Sequence, residues 1–382
     1  MDIPPRRITQ NDVAKAAGVN RATVSLALRK HPGIPEKTRN RIVKLAAKLG
    51  YVPDPMLSAL ASYRNSKRPG SFRGTLAWFA ETASDYRWRD VPQFTTYLAS
   101  AERAAGRLGY QVEVFDVSQM GVSWERAAGI AQARGIRGIL VCPQAHADTH
   151  LDKFPWDRFS AVTFGYSLTR PLLHAVTAAH YASVRRIMRE LHARGYRRIG
   201  LAVRPEHDRR IDHIFLAGFL TSGHLLPSLS LLPVCPDDGH VDGPQGANAA
   251  CGNQLRTWLK RFKPDAIITG TPTAFHLLNR WGIATPQEMG IACTCISQNY
   301  VASKSGDALA RRRTPPAAPD AARPNADLAG MVEDDARIGE VAVDLLVGMI
   351  QRGERGIPEK PQRVVVSSYW HEGSTLRARP DC

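Results

Sequence analysis

The chain has 382 residues, 43% of them hydrophobic and 23% charged, enough to build a small domain beside a large core. Its formal net charge of +16 and isoelectric point of about 9.9 point to acidic partners, nucleic acid before membrane. No stretch approaches a transmembrane span, Met1–Arg7 lacks a signal's apolar run, and six cysteines without a Cys-x-x-Cys pair suit a reducing cytoplasm, so the expectation is a cytoplasmic protein without a membrane partner.

The N-terminal 70 residues carry fourteen basic side chains against four acids, a large share of the total excess on one small unit. Val13, Ala14 and Ala17 recur at helical spacing, as do Val24 and Leu28, and Gly18 between them suits a sharp corner. Thr9 with Asp12 reads as a capping box, and Asn20 as the N-cap of the second helix. A third helix, about Glu36 to Leu49, brings Ile42, Leu45, Ala46 and Leu49 to the same core, with Pro35 at its first turn. The pattern is a helix-turn-helix, whose second helix can enter a major groove. Helical corners also occur in purely structural bundles, and the charge excess is what favours a phosphate binder.

Four pieces carry a specific resemblance: Ile8–Ala14, Ala17–Ser25, Thr38-Arg39 and Leu49–Pro53. In this order and at these spacings they resemble the headpiece of the lactose-repressor (LacI/GalR) family. The resemblance implies a bacterial transcription regulator, most simply a repressor, that binds double-stranded operator DNA as a homodimer. It also implies a C-terminal domain shaped like a periplasmic sugar-binding protein that senses a small-molecule effector. By position in the motif, Arg21, Ala22 and Leu26 are the expected base readers, and many members carry arginine where this chain has Leu26. Thr9, Asn20, Thr23, Ser25 and Thr38 are expected at phosphates, and Arg29 also on the DNA side. Residues 1–53 form the expected headpiece and 54–72 a hinge helix and linker. The short segment Asp54–Arg64 needs a partner to be helical, and Leu60 matches the family's minor-groove wedge; an ordinary linker helix is the plainer alternative.

From Gly74 apolar strand-length runs alternate with helical patterns: Thr75–Ala80, Gln93–Leu108, Tyr110–Phe115, Trp124–Arg134, Gly138–Cys142 and Phe159–Phe164. A second set runs from Ala182–Arg194 through Tyr196–Val203, Phe215–Ser222, Gly252–Phe262, Pro264–Thr269 and Thr273–Trp281 to Ile291–Ile296. Such alternation predicts βαβ units and an α/β fold of two doubly wound lobes, with a ligand cleft at the strand C-terminal ends. The sensing and dimerisation domain is placed at 73–377. Lobe one is expected at about 73–165 and 291–352, lobe two at about 166–290 and 353–377. Residues 302–327, with Arg311-Arg312-Arg313 and a proline cluster, lack any hydrophobic period and are expected to be a disordered insertion.

No nucleophile elbow, zinc-protease motif or phosphate loop occurs, so no enzyme activity, cofactor or metal is expected. Cys293 and Cys295 would share one strand face and are read as inert core cysteines. The sensor residues depart from the family pattern, because its sugar-gripping arginine falls at Phe215, its aspartate at Cys295 and its Asn/Asp-Asp pair at Gly270-Thr271. A site lacking those groups rejects sugars strongly, which leaves the effector class open. Trp88, Asp208, Arg210 and Asp212 are the candidate effector contacts. The rival functions on the same two-lobed fold are a solute-binding receptor and an enzyme.

Overall fold

The computed structural model describes residues 8–28, 33–51, 72–83, 86–239, 252–298, 300–301 and 327–379. The expectations for Arg29, for Leu60 and its hinge helix, and for residues 302–326 lie outside the described residues.

The headpiece packs three helices, α1 (Gln10–Ala17), α2 (Arg21–Leu28) and α3 (Glu36–Lys48). Val13, Ala14, Ala17, Val24, Ala27, Ile42 and Ala46 form its buried core, closed at the edges by Leu28, Leu45, Leu49 and Tyr51. Alanines at 14 and 17 keep the helices close. Gly18 turns the corner at φ +64°, a left-handed conformation that costs a side-chain-bearing residue about 1–2 kcal/mol. Arg41 of α3 donates Nη2 to the Ala17 carbonyl at 3.2 Å, so the third helix also satisfies the end of the first.

The larger part opens with β1 (Gly74–Ala80), α4 (Pro92–Arg107), β2 (Tyr110–Asp116), α5 (Trp124–Ala133) and β3 (Gly138–Val141). Next come β4 (Thr149–His150), β5 (Ser160–Phe164), β6 (Leu168–Arg170), β7 (His174–Ala178), α6 (His180–Ala193), β8 (Arg198–Ala202), α7 (Pro205–Arg210) and α8 (Ile214–Leu225). The remaining elements are β9 (Ser230–Leu231), α9 (Asn253–Phe262), β10 (Ala266–Thr269), α10 (Thr273–Arg280), β11 (Gly290–Ile296), β12 (Ala329–Val332), α11 (Asp335–Arg352), β13 (Arg363–Val366) and β14 (Tyr369–His371).

Two six-stranded sheets result, ordered β13-β7-β5-β3-β1-β2 and β14-β12-β11-β10-β8-β9. The first is parallel throughout; in the second only β14 runs antiparallel, against β12. Burial explains the near-continuous apolar strands, since helices cover both faces.

This topology corrects the expected division of the lobes. β11 and β12, assigned to lobe one, pair within the second sheet, whereas β7 and β13, assigned to lobe two, pair within the first. Among the described residues of the segment 291–352, only α11 returns to lobe one, packing along α4. Sheet membership is decided by hydrogen-bond partners far away in sequence, which strand periodicity does not report. The chain therefore passes between lobes at 178–180, 332–335 and 366–369.

β11 also departs from simple alternation. Its register against β12 shifts between Cys293 and Ile296. As a result Cys293 packs with Ile291 and Phe275, while Cys295 joins the opposite core with Ala292. The two cysteines thus lie on different faces, contrary to the expectation of a shared one, because the irregularity breaks the period of two.

Candidate functional site

On the headpiece, local hydrogen bonds build the N-terminal end of α2. Asn20 accepts on Oδ1 from the Thr23 backbone N–H at 2.7 Å and from the Thr23 hydroxyl at 2.9 Å, capping the helix as expected. Thr9 accepts from the Asp12 N–H at 3.4 Å while its own N–H and hydroxyl donate to Asp12 Oδ2 at 2.8 and 2.7 Å. The Thr9 and Thr23 hydroxyl protons are thus engaged within the headpiece, and each must reorient to donate to a phosphate. Arg21, Ala22, Asn20 and Thr9 are exposed, and Thr23, Ser25, Leu26 and Thr38 half-buried. All eight lie in the headpiece with Lys15, Lys37, Arg39, Arg41, Lys44 and Lys48, against Asp12 and Glu36 as the acids of its described residues. The capped helix presents its first turn to solvent in a positive field.

The second site is a cleft between the lobes with a cavity of about 350 Å³, at the C-terminal ends of the strands of both sheets. Lobe one contributes an aromatic wall of Tyr86, Phe94, Tyr97, Phe164 and Tyr166, with Tyr97 stacked on Phe164 at 5.2 Å. Lobe two contributes Arg204, His207, Arg210, the Gly270–Thr273 turn and Cys295. Arg210 crosses the cleft: its Nη2 donates to the Tyr86 hydroxyl at 2.9 Å and its guanidinium lies over the Tyr86 ring at 4.9 Å. Glu206 joins the lobes a second time by accepting from the Ala147 N–H at 3.0 Å.

Of the four expected effector contacts, Arg210 alone lines this cavity. Trp88 does not stack on a ligand at the cleft mouth; it is buried beside Trp78 and donates Nε1 to Asp116 at 2.9 Å. Its polar neighbours in sequence concealed an indole that is an ordinary, satisfied core group. Asp208 is buried and accepts from His213 Nδ1 at 2.9 Å, tying α7 to the start of α8. Asp212 is exposed in the turn at φ +59° and points to no role in the cleft lining.

Sequence reading missed the polar floor of the cavity. His180 opens α6, Cys295 is the penultimate residue of β11 and Glu333 follows β12, and their Nδ1, Sγ and carboxylate atoms lie within 4.8 Å of one another. Nδ1 of His180 is 3.1 Å from Glu333 Oε1, and Cys295 Sγ donates to the same oxygen at 3.2 Å. Burial, then the charge of Glu333, pushes the Cys295 thiol well up. Burial, then Glu333 and Asp334, pushes the Asp335 carboxyl up to about 9. Burial, then Asp335 and Glu333, likewise raises the Tyr97 phenol. The one signal in the sequence was Cys295 at the family's aspartate position; His180 and Glu333 carried none. Phe215, at the family's arginine position, packs edge-on against the His180 ring at 5.4 Å.

Residues 9–54 match the model of the bacterial regulatory proteins of the lacI family. The HTH-type transcriptional repressor CytR of Escherichia coli K12 is 28% identical over 225 residues, 56% of this chain and 58% of the relative. The chain thus spans under two thirds of that curated relative's length. Among solved structures, the lac repressor dimer bound to operator and the anti-inducer ONPF superposes with a TM-score of 0.54 at 16% identity, over 98% of this chain and 100% of that one. The regulator CelR in complex with cellobiose gives 0.55 at 18%, over 97% and 100%. These structural likenesses establish the fold, a headpiece joined to two periplasmic-binding-protein-like lobes. The family match is carried by the headpiece: residues 9–54, with their capped helix-turn-helix, are similar to the lacI family of bacterial regulatory proteins.

Proposed function

We infer that the protein is a sequence-specific DNA-binding transcriptional regulator, a repressor that reads a pseudopalindromic operator as a homodimer and responds to a small molecule in the interlobe cleft. The observation that carries the reading is α2 itself, capped by Asn20 and exposing Arg21 and Ala22 on a strongly basic unit. CytR, named a transcriptional repressor, and a lac repressor dimer seen on operator DNA support the same reading. Two headpieces in one dimer imply two half-sites, hence the pseudopalindrome.

Sensing follows from the cleft. Arg210 and Glu206 bridge the lobes only when these are close, so a ligand that alters closure alters the spacing of whatever the lobes carry. Such coupling is typically worth about 1–3 kcal/mol. The aromatic wall suits a planar effector better than a plain sugar, since the family's sugar-gripping positions hold Phe215 and Cys295. Among the described residues no helix is long and apolar enough to cross a membrane.

Fluorescence anisotropy with fragments of the source genome, repeated over a salt series, tests the DNA reading. Log affinity is expected to fall linearly and steeply with log salt, because phosphate contacts release counterions. A flat response, or equal affinity for every fragment, removes the proposal.

A further inference from the structure

We propose that His180, Cys295 and Glu333 form a binding site for a divalent transition metal of the zinc class on the floor of the interlobe cleft. The assignment of that ion as effector rests on the regulator reading above; the site itself does not.

The donor set is the first argument. One imidazole nitrogen, one thiol and one carboxylate suit Zn²⁺ or Co²⁺, whereas Mg²⁺ and Ca²⁺ prefer oxygens alone. Geometry is the second. Bonds of 2.0–2.3 Å to a tetrahedral ion separate neighbouring ligand atoms by about 3.3–3.5 Å. The observed 3.1 Å from Nδ1 to Oε1 and 3.2 Å from Sγ to Oε1 are a few tenths shorter, so the side chains need only open slightly around an ion. The third is an unsatisfied atom. His180 Nδ1 is shielded from solvent and, despite its 3.1 Å approach to Glu333, makes no hydrogen bond. Its contact lacks the alignment of a donor and acceptor aimed at each other, as expected when two lone pairs converge on a third point.

The surroundings suit a bound ion. Glu333 is nearly fully buried, and among the described residues no lysine or arginine lies within ion-pair distance of it. A divalent ion would compensate it, and the Cys295 thiol would release its proton to solvent as the metal–sulfur bond forms. The three residues face the cavity, so a fourth coordination position stays open to water or to an effector group. The Phe215 edge holds the His180 ring in place.

Position gives the site leverage on the lobes. His180 sits on the crossing at 178–180 and Glu333 on the crossing at 332–335, while Cys295 belongs to the second sheet alone. An ion held by all three ties two interlobe connections to one strand end.

Titration of the full-length, reduced protein with Co²⁺ alone tests the site without DNA. The expected result is one equivalent bound with a thiolate-to-cobalt charge-transfer band and intense tetrahedral d–d bands, displaced by Zn²⁺. Cys295→Ser should lose the charge-transfer band, and His180→Ala should weaken binding roughly tenfold or more. Cys293→Ala, on the other face of the strand, should keep both, and circular dichroism checks that each variant is folded. Absence of the band in the wild type, or its persistence in Cys295→Ser, overturns the proposal. Anisotropy on operator DNA with and without Zn²⁺ reads the regulator separately: loss of DNA binding there leaves the cobalt result standing, and the reverse.

Discussion

Arg21 stands at the first turn of α2, the proposed recognition helix, exposed, on a backbone that the Asn20 side chain holds in place. An arginine there can grip a guanine edge with two hydrogen bonds, so Arg21→Ala should cost about 1–3 kcal/mol and relax one base position. Site selection from random DNA checks it: an unchanged consensus would remove Arg21 from base reading. A different residue-scale balance operates inside lobe two. Burial would raise the Glu190 carboxyl, but hydrogen bonds from Arg379 and Arg194 and the charge of Arg186 hold it below the ordinary carboxylate range. A depressed folded value means stability that is present above the unfolded carboxylate pKa and lost as pH falls through the folded one. Arg194→Met should therefore destabilise the protein by about 2 kcal/mol near neutrality, less than an orphaned buried pair because Arg379 and Arg186 remain. Its deficit relative to wild type should shrink in acid. Thermal melts across pH measure this, and a pH-independent deficit would assign the effect to packing.

At the scale of elements, α1 and α2 owe their ends to side chains rather than to length. Eight residues form a marginal helix in water, and the Thr9–Asp12 box, the Asn20 cap and the Gly18 corner supply what the short ladders lack. Asp54–Arg64 lies outside the described residues; read from its sequence, a helix there would face the same difficulty, and a dimer mate or DNA would resolve it. If Leu60 wedges between base steps, Leu60→Ala should keep the fold and the dimer yet lose affinity and DNA bending. Circular-permutation gel shifts decide this, and an unaltered bend angle would reduce the segment to a linker. α8 is apolar around most of its circumference and carries the opposite surplus. Phe215, Gly218 and Phe219 face inward against α6, while Leu220 and Leu225 are exposed.

For the whole molecule, that exposed surface bears on assembly. Leu220 and Leu225 leave apolar side chains of α8 exposed on lobe two. If the sensor domain supplies the dimer contact, Leu220→Glu should shift sedimentation toward the monomer and weaken operator binding with it, since one headpiece reads only a half-site. An undisturbed dimer would place the contact elsewhere. The interlobe bridges make a complementary case at the cleft. Arg210 holds Tyr86 from the far lobe, so its removal would loosen closure without touching the headpiece.

Much of the architecture was legible in the sequence because it is written locally. Caps at Thr9 and Asn20, the glycine corner at 18 and the apolar runs of β1, β3 and β5 depend on residues within a few positions, and each has a direct chemical reading. The headpiece motif also needed only short spacings. Tertiary structure alone decided which strand joins which sheet, since β11 and β13 find partners by hydrogen bonding across long crossovers. It also decided that Trp88 is core, that Cys295 turns away from Cys293, and that Arg210 reaches Tyr86. His180, Cys295 and Glu333 are separated by more than a hundred residues and by nearly forty, and no spacing rule connects them. They meet because the chain crosses between lobes beside the end of β11, where strand ends converge and burial strengthens every polar contact.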